Sequence, residues 1–171
     1  MFYNKKIAIV YKSKYGCTMK YAGWLAIKLN ADLYEVSDVK RWDLLKYKTI
    51  VFGSPIYNSK IYILEYLLDK FKTIKNKNII LFCVNLGFQS KEEIIDYNFV
   101  DEDMKKKIKF FFLDGSIDYQ KLNKIDKIKL NRLMKKNIPT ELVGIEKSMI
   151  LDKSNKHTIK PILDYIIEKT Y

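Results

Sequence analysis

Arginine, histidine and cysteine are almost missing from this chain, and each scarcity closes off a kind of chemistry. The two cysteines, Cys17 and Cys83, are too few and too far apart for a disulfide framework or a metal knuckle. They suit a reduced, cytoplasmic setting. The one histidine, His157, stands just before the last helical pattern and reads as a surface residue, so histidine general-base catalysis is not expected. Arg41 and Arg132 are the only arginines, so the net charge of +12 is almost wholly lysine. With no arginine stripe and no nucleic-acid motif, nucleic-acid binding is not expected. No apolar run approaches the roughly 18 residues of a membrane span. The opening MFYNKK has no apolar leader core, so no signal peptide is expected. Proline and glycine are also sparse, at three and six residues, and 48% of the chain is apolar, which excludes disorder.

What is present is an alternation of apolar and amphipathic runs. At 171 residues the chain is expected to form a single domain over 1–171. Strands are expected at about Lys6–Tyr11, Ala31–Val36, Lys48–Gly53, Asn78–Val84 and Ile108–Leu113. The third is expected to break at Ser54-Pro55, because proline has no N–H for the ladder. A first helix is read from Cys17 to Leu29, with Tyr21, Trp24, Leu25 and Ile27 to Leu29 facing inward and Asn30 as its stop. A second is expected from Ser59 or Lys60, with Leu64, Leu67, Leu68 and Phe71 at i, i+3, i+4, i+7. Ser90 and Glu93 form a capping box for a third, whose periodicity fails around Tyr97 to Asp103. After strand five, 116–153 is read as an insertion with a basic helix from Ile125 to Asn137, stopped by Pro139. Within it, 142–151 is ambiguous between a helix and an added strand. The last helix carries Ile159, Ile162, Leu163, Ile166 and Ile167 on one face, with Pro161 in its first turn.

Alternating strands and helices of this kind make a three-layer, doubly wound α/β fold with a five-stranded parallel sheet. Ligands in such folds sit beyond the carboxyl ends of the strands, where strand order reverses. That rule selects three loops. The first, Ser13-Lys14-Tyr15-Gly16-Cys17-Thr18, puts hydroxyls and a glycine at a helix N-terminus, a natural anion site. The second carries Pro55, Ile56, Tyr57 and Asn58, an apolar and aromatic surface with an amide beside it for a planar ligand. The third, Asn85, Leu86, Gly87 and Phe88, offers backbone groups and an apolar wall. All three lack carboxylates, and no metal-ligating cluster is expected.

Other phosphate chemistries fail on their own requirements. There is no GxGxxG after strand one and no GxxxxGK[ST] anywhere. A cysteine phosphatase needs an arginine shortly after Cys17, and Lys20 to Ala26 contains none. Phe52-Gly53-Ser54 stands where a phosphorylated receiver would want an aspartate. A chemistry carried by the ligand is therefore favoured over one carried by a side chain.

Together the three loops resemble those of the flavodoxin-like family, which binds flavin mononucleotide (FMN). Ser13 to Thr18 is similar to its phosphate loop, with Tyr15 in place of a small middle hydroxyl. Gly53-Ser54-Pro55-Ile56-Tyr57 is similar to its second loop, and Cys83 to Leu86 stands in the place of its third. A closer resemblance is to the branch containing menaquinone-dependent protoporphyrinogen oxidases. It is carried by SKYG-T, FGSPIY, and Gly115, Asp118, Tyr119 and Leu122 after strand five. The resemblance implies a flavodoxin-like fold and FMN as cofactor, with Ser13 to Thr18 on the phosphate and Ile56 and Tyr57 against the ring. It implies an FMN-dependent oxidoreductase that passes electrons to a redox partner protein or a quinone with no catalytic side chain. Two alternatives stay open: a soluble one-electron carrier, and a flavin-free binding or regulatory module. The basic segment 124–136 is either a solvated cap or a peripheral contact with an anionic membrane at the inner face of the cell.

Overall fold

The computed structural model describes residues 6–87, 89–136 and 150–170, and of Arg41, Trp42, Leu133, Lys136 and Thr170 the backbone alone. The expected stop at Pro139 and the ambiguous stretch up to 149 lie outside the described residues.

The main sheet contains β1 (Ile7–Tyr11), β2 (Asp32–Glu35), β3 (Thr49–Tyr57), β4 (Lys60–Ile61), β5 (Asn78–Asn85) and β6 (Ile108–Asp114). Five strands run parallel in the order β2-β1-β3-β5-β6, and β4 pairs antiparallel with the end of β3. Around the sheet lie α1 (Cys17–Leu29), α2 (Leu64–Ile74), α3 (Lys91–Asn98), α4 (Glu102–Lys107), α5 (Lys124–Lys136) and α6 (Lys160–Thr170). β7 (Ser116–Asp118) and β8 (Ile150–Asp152) form a separate antiparallel ribbon. The expected doubly wound α/β architecture is thus the one observed.

The strands read as unbroken apolar runs because the sheet is covered on both faces. In β1, Ile7 and Ile9 pack with Tyr21 and Leu25 of α1 and with Ile162 and Ile166 of α6. Ala8 and Val10, pointing the other way, join Leu67 of α2, Ile94 of α3 and Met104 of α4. Asn30 ends α1 in the left-handed region, at φ 47°. The Ser90–Glu93 capping box is formed, and the failed periodicity after Tyr97 is a true break between α3 and α4. The inward faces are narrower than expected. Ile27 is 78% exposed, and Leu68 and Ile167 are half-exposed, because a helix on a sheet buries a stripe and not a half-cylinder.

Two expectations around the second loop need correction. β3 does not stop at Gly53 but runs through Pro55 to Tyr57. Pairing with β1 ends at Tyr11–Gly53, so no β1 residue stands opposite Pro55 to need its missing N–H. The Pro55 carbonyl instead accepts from the Tyr62 N–H at 3.1 Å. The second helix does not begin at Ser59 or Lys60. Tyr57 and Lys60 close a hairpin through Asn58 (φ 50°) and Ser59 (φ 65°), the two positive φ values of a type I′ turn, and α2 starts only at Leu64. The insertion, read as a basic helix with 142–151 open between a helix and an added strand, also contains the β7–β8 ribbon, whose β8 begins at Ile150.

Candidate functional site

Strand order reverses between β1 and β3, and the loops beyond those strands and β5 meet there. Gly16 holds the first loop in shape. Its φ of 90° suits glycine, its N–H donates to Ser13 Oγ at 3.1 Å, and no side chain caps the N-terminus of α1 that follows. Accepting that bond leaves the Ser13 hydroxyl hydrogen free to donate. Thr18, the second residue of α1, is 1% exposed and lines the same cavity as Ser13.

These residues line a cavity of about 270 Å³. Ser13, Lys14, Tyr15, Cys17 and Thr18 supply one wall, Pro55, Ile56, Tyr57, Asn58 and Ser59 a second, and Val84, Asn85 and Leu86 a third. Gly16 shapes the first wall without facing the cavity, Gly87 lies off it, and Phe88 is outside the described residues. Tyr57 stands edge-on to Tyr62 at 5.5 Å and to Tyr15 at 6.5 Å, with Lys14 Nζ 5.4 Å from its ring centre. Burial pushes the Tyr57 phenol well above its ordinary pKa, so it stays neutral. Cys17 lines the cavity half-buried, while the fully buried Cys83 thiol is pushed up by burial and is a poor nucleophile.

The insertion supplies a fourth wall that local reading of the sequence missed. Gly115, Ser116, Ile117, Asp118, Leu122, Asp126, Lys129 and Leu130 all face the cavity. It is rooted where Gly115 N–H donates to the Asn85 carbonyl at 2.6 Å; a Cβ on residue 115 would stand 2.8 Å from that oxygen. Ile117, Tyr119, Leu122 and Leu130 form a small core of their own, onto which Tyr15 and Leu86 pack from the loops. The segment therefore roofs the cavity. Its polar tie to the first loop is Asp126, one Oδ of which accepts from Lys14 Nζ at 2.6 Å and from the Tyr15 hydroxyl at 2.5 Å. The Tyr15 oxygen in turn accepts from Asn123 N–H at 3.3 Å, at the start of α5.

Tyr15 thus turns from the anion loop toward the roof. Burial pushes the Asp126 carboxyl up, but the bonds from Lys14 and Tyr15 outweigh it and hold its pKa below the ordinary aspartate value. The bond to Asp126 raises Lys14. The three loops lack carboxylates, as their sequences say, but the cavity does not, since Asp118 and Asp126 enter from the insertion. The one local signal was Asn123 three residues before Asp126, a helix cap that is realised at 2.8 Å.

The arrangement brings hydroxyls and a helix N-terminus into a cavity that also has aromatic and aliphatic surfaces, with charged groups entering from the roof. It can hold an anion attached to a flat apolar body.

A family model described as a flavodoxin domain matches residues 8–141. No curated protein matches. Among solved structures, the chain is similar to a flavodoxin from the domain Archaea, with 22% identity, 74% of this chain and 92% of that one covered, and a TM-score of 0.45. It is similar to two-electron reduced Megasphaera elsdenii flavodoxin at 20% identity, covering 64% and 83%, with a TM-score of 0.49. It is also similar to the Trp repressor binding protein of Bacillus subtilis at 16% identity, covering 64% and 85%, with a TM-score of 0.44.

Proposed function

The chain belongs to the flavodoxin domain family, and from that premise we propose that it binds FMN in the roofed cavity and works as a flavoprotein oxidoreductase. The observation that carries this is the meeting of Ser13 and Thr18 with the N-terminus of α1, which no side chain caps, in a cavity whose other walls include Ile56, Tyr57 and Leu86. The residues fit the group. Ser13, Thr18 and the first N–H groups of α1 are donors for a phosphate, while Ile56, Tyr57 and Leu86 are surfaces for a flat ring. Asn58 and Asn85 offer amides to its polar edge. When bound, FMN supplies the redox chemistry. The chain's own residues anchor the phosphate, hold the ring and, through Ile117, Leu122 and Leu130, keep water from it.

The finer reading is an oxidoreductase of the menaquinone-dependent protoporphyrinogen oxidase type. Its support is residue by residue, in SKYG-T, FGSPIY, and the roof residues Gly115, Asp118 and Leu122, which line the cavity. The second reading, a one-electron carrier between proteins, is favoured less because a carrier needs an open ring edge where this chain has a roof. Titration of purified protein with FMN tests the function. Fluorescence should quench to a one-to-one endpoint, and the yellow complex should survive gel filtration. A protein that stays colourless in excess FMN ends the redox reading and leaves a flavin-free module.

We further propose that α5 rests on anionic lipid. Its inner face carries Asp126, Leu130 and Met134, while Ile125 and Ile128 are 63% and 55% exposed beside exposed Lys124, Arg132 and Lys135. Apolar side chains ringed by cations suit a bilayer surface and the quinone within it. No described helix is long and apolar enough to cross a membrane. Phosphatidylglycerol vesicles should retain the protein at low salt and release it at high salt. Absence of retention at low salt favours the carrier.

A further inference from the structure

We propose that Asp126 is the specificity determinant of the anion-binding loop: its carboxylate occupies the loop's lysine and tyrosine, so the site refuses free inorganic phosphate and admits a phosphate only when it is attached to a ring that fills the cavity. The inference rests on the reading that FMN binds here.

Lys14 is the only cation in the loop Ser13 to Thr18, and its ammonium is already spent, with Nζ 2.6 Å from Asp126 Oδ2. The same oxygen takes the Tyr15 hydroxyl at 2.5 Å. The carboxylate is not a surface group that swings aside, since only 15% of its side chain is exposed. It is pinned from behind, because Asp126 N–H donates to Asn123 Oδ1 at 2.8 Å and Leu130, one turn on, is buried in the roof core. Moving Asp126 means moving α5.

Within the loop an arriving phosphate therefore meets hydroxyls and backbone N–H groups but no free cation, and the cavity's other lysine, Lys129 of α5, acts on Asp126 from the roof. The phosphate also brings nearly two negative charges into a cavity that an ionised aspartate lines. Bare phosphate has nothing further to offset that repulsion. A phosphate ester with a flat apolar body does, because Ile56, Tyr57, Leu86, Ile94 and Leu130 wait along the cavity. The loop thus reads its ligand as a whole and not by its charge.

Asp126→Asn keeps the shape and the acceptor oxygen and removes the charge. FMN, riboflavin and inorganic phosphate are the probes, read by flavin fluorescence at constant ionic strength. In the native chain, added phosphate should leave FMN affinity unmoved. In Asp126→Asn, FMN should bind about tenfold tighter, the scale of one screened charge at a half-buried site. Phosphate should then compete with FMN, and riboflavin, which has no phosphate, should bind both proteins equally. FMN affinity unchanged or weakened in the variant overturns the inference, as does phosphate competition in the native chain. A riboflavin change equal to the FMN change also overturns it, because a loosened roof would act on both. If neither flavin binds either protein, the FMN reading itself falls and this inference with it. Should Asp126→Asn fail to fold, Lys14→Gln and the double variant Lys14→Gln/Asp126→Asn replace it. The single change should weaken FMN by leaving the carboxylate uncompensated, and the double should restore it; no restoration overturns the inference.

Discussion

Replacing Thr18 by valine is expected to weaken FMN binding by roughly 5- to 150-fold, or 1–3 kcal/mol, the cost of leaving a charged acceptor without its donor. The change is nearly isosteric, so packing at this buried position is kept. Thr18 lines the cavity, so loss of its hydroxyl should leave stability almost untouched. Affinity and stability separate here, which makes the variant informative. Fluorescence titration measures the first and a denaturant midpoint the second. Riboflavin serves as the control, because it meets the ring walls but asks nothing of the hydroxyl. Equal FMN affinity in the variant would mean that the phosphate is held elsewhere.

Tyr15→Ser should act on the roof. Tyr15 packs on Ile117, Tyr119, Leu122 and Leu130 and ties its hydroxyl to Asp126 and to Asn123 N–H. Truncation removes a ring from a small core and one donor from a half-buried carboxylate. The loss is expected to be about 2–4 kcal/mol, below the full cost of a core aromatic because the residue is only half-buried. Roof and sheet share few buried groups, so the loss should appear as local opening. Amide exchange should speed up across 116–131 and stay slow in β1, β3 and β5. Unchanged exchange in 116–131 would show that Lys14 and the Gly115 root hold the roof without Tyr15.

The Asp126 contact also has a defined pH range. Its folded pKa is depressed, so the contact's contribution is present above the unfolded aspartate value and is lost as pH falls through the folded one. Lys14 is raised, so its share is full below the unfolded lysine value and fades as pH rises past the folded one. Between those limits, across neutral pH, the roof stays tied.

The layers of the fold were legible because sheet burial writes itself into local sequence. Ile7 to Val10 and Ile79 to Val84 are apolar on both faces, and Asn30, Ser90 and Glu93 mark helix ends within a few residues of what they cap. The switch-point rule then chose loops that do meet at one cavity. What stayed hidden depends on neighbours distant in the chain. Pro55 sits inside a strand because β1 has ended beside it, which nothing near Pro55 records. Asn58 and Ser59 carry a mild turn signal that the amphipathic run after them outweighed. Asp126 reaches Lys14 across 112 residues of sequence, a pairing that no local pattern encodes. Ile27 and Ile167 looked inward because periodicity gives the direction of an apolar stripe but not its width.

The two ends of the insertion meet. Gly115 N–H is fixed to Asn85, its carbonyl accepts from Lys153 N–H at 3.3 Å, and Ser116 pairs with Asp152 across the β7–β8 ribbon. Beyond it, Lys20 on α1 holds Asp152 and Ser154, and Tyr21 accepts from Asn155 N–H. A detour that leaves and rejoins the fold at one point makes little demand on the sheet's register, and lengthening it costs only slowly in closure entropy. The roof is in that sense interchangeable. The sheet and its loops can keep their three walls of the cavity while the detour is lengthened, shortened or recharged, so the fourth wall can change without rebuilding the cradle beneath it.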